Sequence, residues 1–315
     1  MKCGLLYIIK NISLKTLKHL IVIEGPTASG KTALGVELAK QFNTVVISAD
    51  SRQLYKELSI GTAKPTLEEQ ANIFHYMVDS HSLTDEITSA VYAREVNEIL
   101  AAEFKTHDKI ILVGGSGMFI DAVCIGLDEI PKSDQIKREL TIQWEKEGLQ
   151  NLLEELKSKD LVFYDEVDKG NPMRIIRALE AIRITGQPFS TLRTKQEKKH
   201  SFEITRFVIN HEREVLYDRI NRRVDIMMEN GLLEEVKSVQ HLKHISTLRT
   251  VGYSELFDFL DGNTTIENAV NLIKQNTRRY AKRQLTWFRR HPEAIWLMNT
   301  TTKEMVIEIS NKFLE

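Results

Sequence analysis

The first clear pattern along the chain is an apolar run over residues 20–24, stopped by Gly25-Pro26, which predicts a strand ending in a turn. The period then changes. Over 31–41, and on to Phe42, Leu34, Leu38 and Phe42 share one face, which predicts an amphipathic helix. Residues 44–47 read as a β-branched strand, 75–78 as a short strand, 90–104 as a helix, and 109–113 as an apolar strand closed by Gly114-Gly115. Strands that alternate with helices predict an α/β fold around a doubly wound, mostly parallel sheet.

Beyond Leu127 the alternation stops. Helical patterns run over 135–146, 149–157 and 172–185, the last broken by Gly186-Gln187-Pro188. A strand returns at 205–210, followed by helices over 215–230, 254–260 and 266–290. The pattern predicts a core of residues 18–127 and 203–315, a helical insertion at 128–202, and an N-terminal extension or misassigned start at 1–17.

Composition narrows the function. The 315 residues hold 43 Lys+Arg against 44 Asp+Glu, with 42% hydrophobic and 28% charged residues, which excludes a disordered chain and a uniformly basic nucleic-acid binder. The charge is nevertheless segregated. Residues 268–292 carry Lys274, Arg278, Arg279, Lys282, Arg283, Arg289 and Arg290 and no acid, with Tyr280, Trp287 and Phe288 interleaved; the remainder sums to −8. A run like this without an anion repels itself, so phosphate contacts are expected, with Arg279, Lys282 and Arg283 at helical spacing as the centre of the patch and Trp287 as core. The only cysteines, Cys3 and Cys124, form neither a zinc-ligand spacing nor a disulfide framework. No apolar run approaches the roughly 18 residues of a membrane span, and the run from Gly4 to Ile9 is too short for a signal peptide. A cytoplasmic monomer with no membrane contact is expected.

Gly25-Pro26-Thr27-Ala28-Ser29-Gly30-Lys31-Thr32 fits G-x-x-x-x-G-K-[ST] without a mismatch and lies between a predicted strand and helix. The curled loop and the helix N-terminus present N–H groups to phosphates, Lys31 adds a point charge, and the Thr32 hydroxyl suits Mg²⁺. A P-loop NTPase usually has an Asp after a second apolar strand. Here the strand at 109–113 runs into Gly114-Gly115-Ser116-Gly117, and the next carboxylate is Asp121, which weakens an ATPase or kinase reading. Asp50 instead follows the second strand, where strand C-termini border the binding crevice. By position it fits a base, a metal-linked acid or a helix N-cap equally well.

Taken in order, these motifs resemble the tRNA dimethylallyltransferase (isopentenyl-tRNA transferase) family. They comprise the GPTASGKT loop; Asp50-Ser51-Arg52-Gln53 with Tyr55 and Ile60-Gly61-Thr62-Ala63-Lys64-Pro65; the Gly114–Gly117 turn; Arg174 and Arg177 before Ala178-Leu179-Glu180; Val251-Gly252-Tyr253; and Ala281-Lys282-Arg283-Gln284 with Thr286-Trp287. Ser116 stands for a common Thr, Phe119 for Tyr, Glu57 for a frequent Gly, Phe74-His75 for a His pair, and Ser254 for an Arg of some members. The zinc-finger tail of eukaryotic members is absent, as in bacterial-type enzymes.

The resemblance implies transfer of a dimethylallyl group from dimethylallyl diphosphate to N6 of the adenosine 3′ of the anticodon, in tRNAs reading codons that begin with U. Residues Gly25, Pro26, Thr27, Ala28, Ser29, Gly30, Lys31 and Thr32 then hold the diphosphate with Mg²⁺ on Thr32. Asp50 acts as base, and Thr27 and Arg223 stabilise the leaving group. The tRNA anticodon arm is expected to meet Asp50, Ser51, Arg52, Gln53 and Ser116 at the flipped adenosine, and Arg138, Arg174, Arg177, Arg279, Lys282 and Arg283 along its backbone. The rival readings are a nucleotide or small-molecule kinase, an adenylate isopentenyltransferase acting on free nucleotide, and a non-catalytic RNA-binding module. The basic helical insertion favours tRNA over a free nucleotide.

Overall fold

The computed structural model describes residues 17–128, 130–194, 198–298 and 300–313. Residues 1–16 of the expected extension lie outside them. The described residues pack as two units, one within residues 17–124 and 199–313 and the other within 125–198.

The first unit is a six-stranded, all-parallel sheet in the order β3-β2-β4-β1-β5-β6. Its elements begin with β1 (His19–Glu24), α1 (Lys31–Phe42), β2 (Val46–Ala49), α2 (Leu67–Gln70), β3 (His75–Tyr76), α3 (Ser89–Glu103), β4 (Lys109–Gly114) and α4 (Gly117–Cys124). The second unit is helical: α5 (Asp134–Glu147), α6 (Gln150–Lys159), α7 (Leu161–Glu166), α8 (Pro172–Thr185) and α9 (Phe189–Leu192). The sheet unit resumes with β5 (Glu203–Asn210), α10 (Arg213–Glu229), α11 (Leu232–Ser238), α12 (Tyr253–Leu260), α13 (Ile266–Phe288), β6 (Ile295–Met298) and α14 (Thr302–Asn311).

β1, β2 and β4 are buried almost end to end, as central parallel strands are, so they show no polar alternation. Alternation is visible on β5. Phe207 and Ile209 join Leu34, Leu38, Met305 and Ile309 in one core, whereas Val208 between them packs with Phe288 of α13 on the opposite face. Each such fully buried aliphatic side chain contributes roughly 1.5–3 kcal/mol. On that second face Arg206, 4% exposed, pairs through Nε with Glu24 at 2.5 Å and through Nη2 with Asp121 at 2.7 Å. Trp287 Nε1 donates to the other Asp121 oxygen at 2.7 Å. The C-terminal end of α13 is thereby tied to the strand that feeds the phosphate loop.

Several features differ from the sequence expectation. β6 and α14 follow the helix that closed the sequence reading, and α4 begins directly after the glycine turn. Phe288 is fully buried, so it packs the core and is not available to a nucleic acid. The second strand starts two residues later than expected, at Val46. The helical unit begins at Ile125 and ends at Lys198, whose N–H donates to the Ile125 carbonyl at 2.7 Å and closes it.

Candidate active site

The loop between β1 and α1 takes its shape from two residues. Gly30 caps α1 in the left-handed region, φ +94°, which glycine adopts without strain, and Ala28 is held there at φ +63°. No side chain caps α1, so the N–H groups of its first turn are free for an anion. The Ser29 Oγ is buried and has no hydrogen-bond partner among the described residues. Lys31 Nζ donates to the Pro26 carbonyl at 2.7 Å across the loop. Burial, and the Arg223 guanidinium nearby, pull the Lys31 ammonium down to about 7 against the opposing pull of Asp50.

The loop forms the floor of a cleft of about 710 Å³, whose walls include Asp50, Gln53, the segment from Ser59 to Thr66, Arg219, Arg223, Tyr280 and Gln284. A smaller cavity of about 210 Å³ adjoins it, where apolar side chains such as Ile220, Val224, Leu232 and Ile273 meet the polar residues of the Asp50 loop. Thr27, Asp50, Thr62, Arg223, Met227 and Tyr280 line both. The structure thus brings together Thr27, Asp50 and Arg223, which come from three separate stretches of chain. Arg223 Nη1 donates to Thr27 Oγ1 at 3.3 Å, whereas its neighbour Arg222 is exposed and paired with Asp218. Asp50 Oδ1 accepts the Arg52 N–H at 2.9 Å; its other oxygen carries no hydrogen bond among the described residues. The Ser51 N–H donates to Ser116 Oγ at 2.9 Å, joining the Asp50 loop to the glycine turn.

The glycine turn has no room for the carboxylate of a P-loop NTPase. A Cβ on Gly114 would lie 2.1 Å from the Ala49 carbonyl oxygen, and one on Gly115 would lie 2.3 Å from Gln284 Nε2. Gln284 fills that space. Its Oε1 accepts the Thr27 N–H at 2.9 Å and its Nε2 donates to the Gly115 carbonyl at 2.8 Å, so one buried amide fixes both the phosphate loop and the turn.

Gln53 uses its amide on Thr62 and Ala63 carbonyls and on Ser48, which makes it a brace of the cleft wall. Arg52 Nη1 donates to the Ser51 carbonyl. Arg279, Lys282 and Arg283 are exposed on α13, whereas Lys274 and Arg278 of the same run are engaged by Asp225 and Asn221. Within the helical unit Arg138 and Arg174 are exposed. Arg177 donates to the Ile130 and Pro131 carbonyls and to Glu180, so three of its donors hold its own unit together. Glu57, unusual beside the family pattern, accepts from Ser82 Oγ and the Leu83 N–H.

Three site residues carry weak sequence signals. Arg219 lies one helical turn before Arg223 and donates to the Ala28 carbonyl at 2.7 Å; its i, i−4 spacing could have revealed it. Tyr280, one of the aromatics interleaved in the basic run, sits in the cleft beside Ser116 and Asp50, where burial and the Asp50 charge push its phenol up to about 12. Gln284 belongs to a recognised motif but had no assigned task.

Mg²⁺ can be tested against this geometry. Among the described residues no group of three or more His, Cys, Asp or Glu is disposed to hold a metal. Thr32 lines the cleft beside Asp50, a sparse oxygen set that fits Mg²⁺ only as an ion arriving with phosphate oxygens and water.

A parallel sheet, a phosphate loop with an arginine over it, and a carboxylate across the cleft define a P-loop group-transfer enzyme. The model of the IPP transferase family matches residues 53–291. The tRNA dimethylallyltransferase 2 of Parabacteroides distasonis is 44% identical over 299 residues, covering 95% of this chain and 100% of that protein. The tRNA dimethylallyltransferase 1 of Bacteroides thetaiotaomicron is 48% identical over 278 residues, covering 88% and 90%. The crystal structure of the tRNA isopentenylpyrophosphate transferase of Bacillus halodurans superimposes with a TM-score of 0.69 at 35% identity, covering 94% and 96%. A eukaryotic dimethylallyltransferase acting on tRNA has the same fold, with a TM-score of 0.80 at 24% identity over 94% of this chain and 79% of that one. The chain belongs to the IPP transferase family.

Proposed function

We propose that this enzyme transfers a dimethylallyl group from dimethylallyl diphosphate to N6 of the adenosine 3′ of the anticodon in tRNA, releasing diphosphate. The observation that carries the reading is the meeting of Thr27, Asp50 and Arg223 where the phosphate cleft opens into the smaller cavity. The diphosphate lies in the loop, against Ser29, Lys31, the first turn of α1 and the Arg219 and Arg223 guanidiniums. As the allylic C1–O bond breaks, its electron pair leaves on the diphosphate, and donors already aimed at those oxygens stabilise the growing charge. Mg²⁺ held by Thr32 with the diphosphate would neutralise part of that charge.

The N6 lone pair forms the new C1–N bond, and the nitrogen then passes a proton to the Asp50 carboxylate. A weak base suffices, because the nitrogen becomes acidic only as the bond develops. No water needs activating, so the glycine turn lacks the carboxylate of a nucleotide hydrolase. The adenine reaches Asp50 by leaving the anticodon-loop stack, and Arg279, Lys282 and Arg283 hold the RNA backbone outside.

The test is transfer itself. Labelled dimethylallyl diphosphate is incubated with the protein and either unmodified tRNA or AMP, and the modified nucleoside is identified by mass. Label on adenosine next to the anticodon, and none on AMP, is expected. Label on AMP alone would make the enzyme an adenylate isopentenyltransferase.

A further inference from the structure

Three consecutive backbone N–H groups converge on one carboxylate. Glu235 Oε2 accepts from Ser59 at 2.8 Å and Ile60 at 2.7 Å, and Oε1 accepts from Gly61 at 2.9 Å. The Tyr253 hydroxyl donates to the same Oε1 at 2.5 Å. Burial, and Glu235 beside it, push the Tyr253 phenol far above its ordinary range, so it stays a donor. Successive N–H groups curled in this way form an anion-binding concavity; here the protein's own side chain fills it.

The segment so held forms part of the wall of the large cleft, through Ser59, Ile60, Thr62, Ala63, Lys64 and Pro65. Glu235 grips it from outside that wall, since Glu235 does not line the cleft. Its helix, α11, follows α10 after Gly231, whose left-handed φ of +93° turns the chain between them. The helix that carries Arg219 and Arg223 is therefore followed at once by the one that anchors the facing wall. The fit leaves no slack: a Cβ on Gly61 would lie 2.6 Å from the Tyr253 ring.

We infer that Glu235 is a positioning residue for the allylic diphosphate: by holding Ser59, Ile60 and Gly61, it sets the wall of the donor cleft against the arginines of α10. The inference rests on the reading that this cleft binds the donor. Glu235 touches no substrate and acts through the loop alone. Replacing it by Gln keeps the size but puts an NH₂ where an acceptor is needed, so at least one N–H is left facing another donor.

The experiment compares wild type with Glu235→Gln and Tyr253→Phe, measuring KM for dimethylallyl diphosphate and Kd for an anticodon stem–loop, with thermal melting beside them. Glu235→Gln is expected to raise the donor KM at least about tenfold while stem–loop affinity stays within about twofold. Tyr253→Phe, which keeps all three N–H bonds, is expected to change the donor KM by less than about threefold. A lower melting temperature with donor KM unchanged, or an equal loss for both substrates, would overturn the inference. If Glu235→Gln does not fold, Gly61→Ala displaces the same segment without touching the carboxylate and must show the same selective loss. Failure of wild type to saturate with the donor would instead refute the reading of the cleft, whatever the variants do.

Discussion

Lys31 shows how a single residue serves binding at the expense of the empty fold. Its ammonium sits at about 7 in the folded protein against 10.5 as a free side chain. Between these values the unfolded chain holds a proton that the folded one lacks, so this group's contribution to stability rises with pH across that window. At and below about pH 7 its full cost is present. Lys31→Met is therefore expected to raise the melting temperature of the ligand-free protein, most at neutral pH and progressively less toward pH 10, and to abolish donor binding. A diphosphate in the loop restores the charged ammonium. Donor binding at about pH 8 should accordingly take up a proton, visible by calorimetry in buffers of different ionisation enthalpy, and donor affinity should fall as pH rises above about 7. Lys31 and its loop were legible in the sequence because a glycine-bounded loop between strand and helix has one main use. Gln284 and Glu235 were not, because their partners are backbone groups more than 150 positions away in the chain, and no local pattern records such a bond.

At the scale of elements, α13 divides its work by face. Ala281, Gln284 and Phe288 are buried, Tyr280 lines the cleft, and Arg279, Lys282 and Arg283 are exposed. The sequence located this helix and its basic stretch, but it could not separate charges already neutralised inside the protein from those left for a ligand. Lys274, paired with Asp225, is of the first kind, and Arg278 is hydrogen-bonded to the neutral amide of Asn221. Lys282→Ala and Arg283→Ala should each weaken tRNA binding and lower the slope of log affinity against log salt by roughly one phosphate contact. Lys274→Ala should leave that slope unchanged. A salt-independent affinity in the wild type would exclude α13 as a backbone-binding surface. The elements missed by the sequence reading differ in the signals they carry. β6 has only four residues and α4 follows three residues that contain two glycines, so neither announces its boundaries, whereas α14 opens on a capping box between Thr301 and Glu304 that the sequence does display.

Across the whole molecule, the alternation of strands and helices was enough to give the parallel sheet, but not what fixes the C-terminal elements to it. Arg206, Glu24 and Asp121 do much of that, and their chain separations put them beyond any sequence window. Arg206→Met leaves Glu24 buried without its partner and is expected to destabilise the fold by roughly 3–5 kcal/mol, read from denaturant unfolding; Glu203→Ala, an exposed change on the same strand, should fall within about 0.5 kcal/mol of wild type. The near-neutral total charge conceals the same division of labour, with acids spread over the fold and seven positive charges confined to one short stretch. In the proposed reaction one cleft holds a diphosphate in its loop while Asp50 takes the proton from the attacking nitrogen. It is tested most directly by single-turnover transfer from labelled dimethylallyl diphosphate to prebound tRNA in Asp50→Ala. A rate at least about a hundredfold below wild type is expected, with tRNA and donor affinities within about twofold. Transfer at the wild-type rate would contradict it.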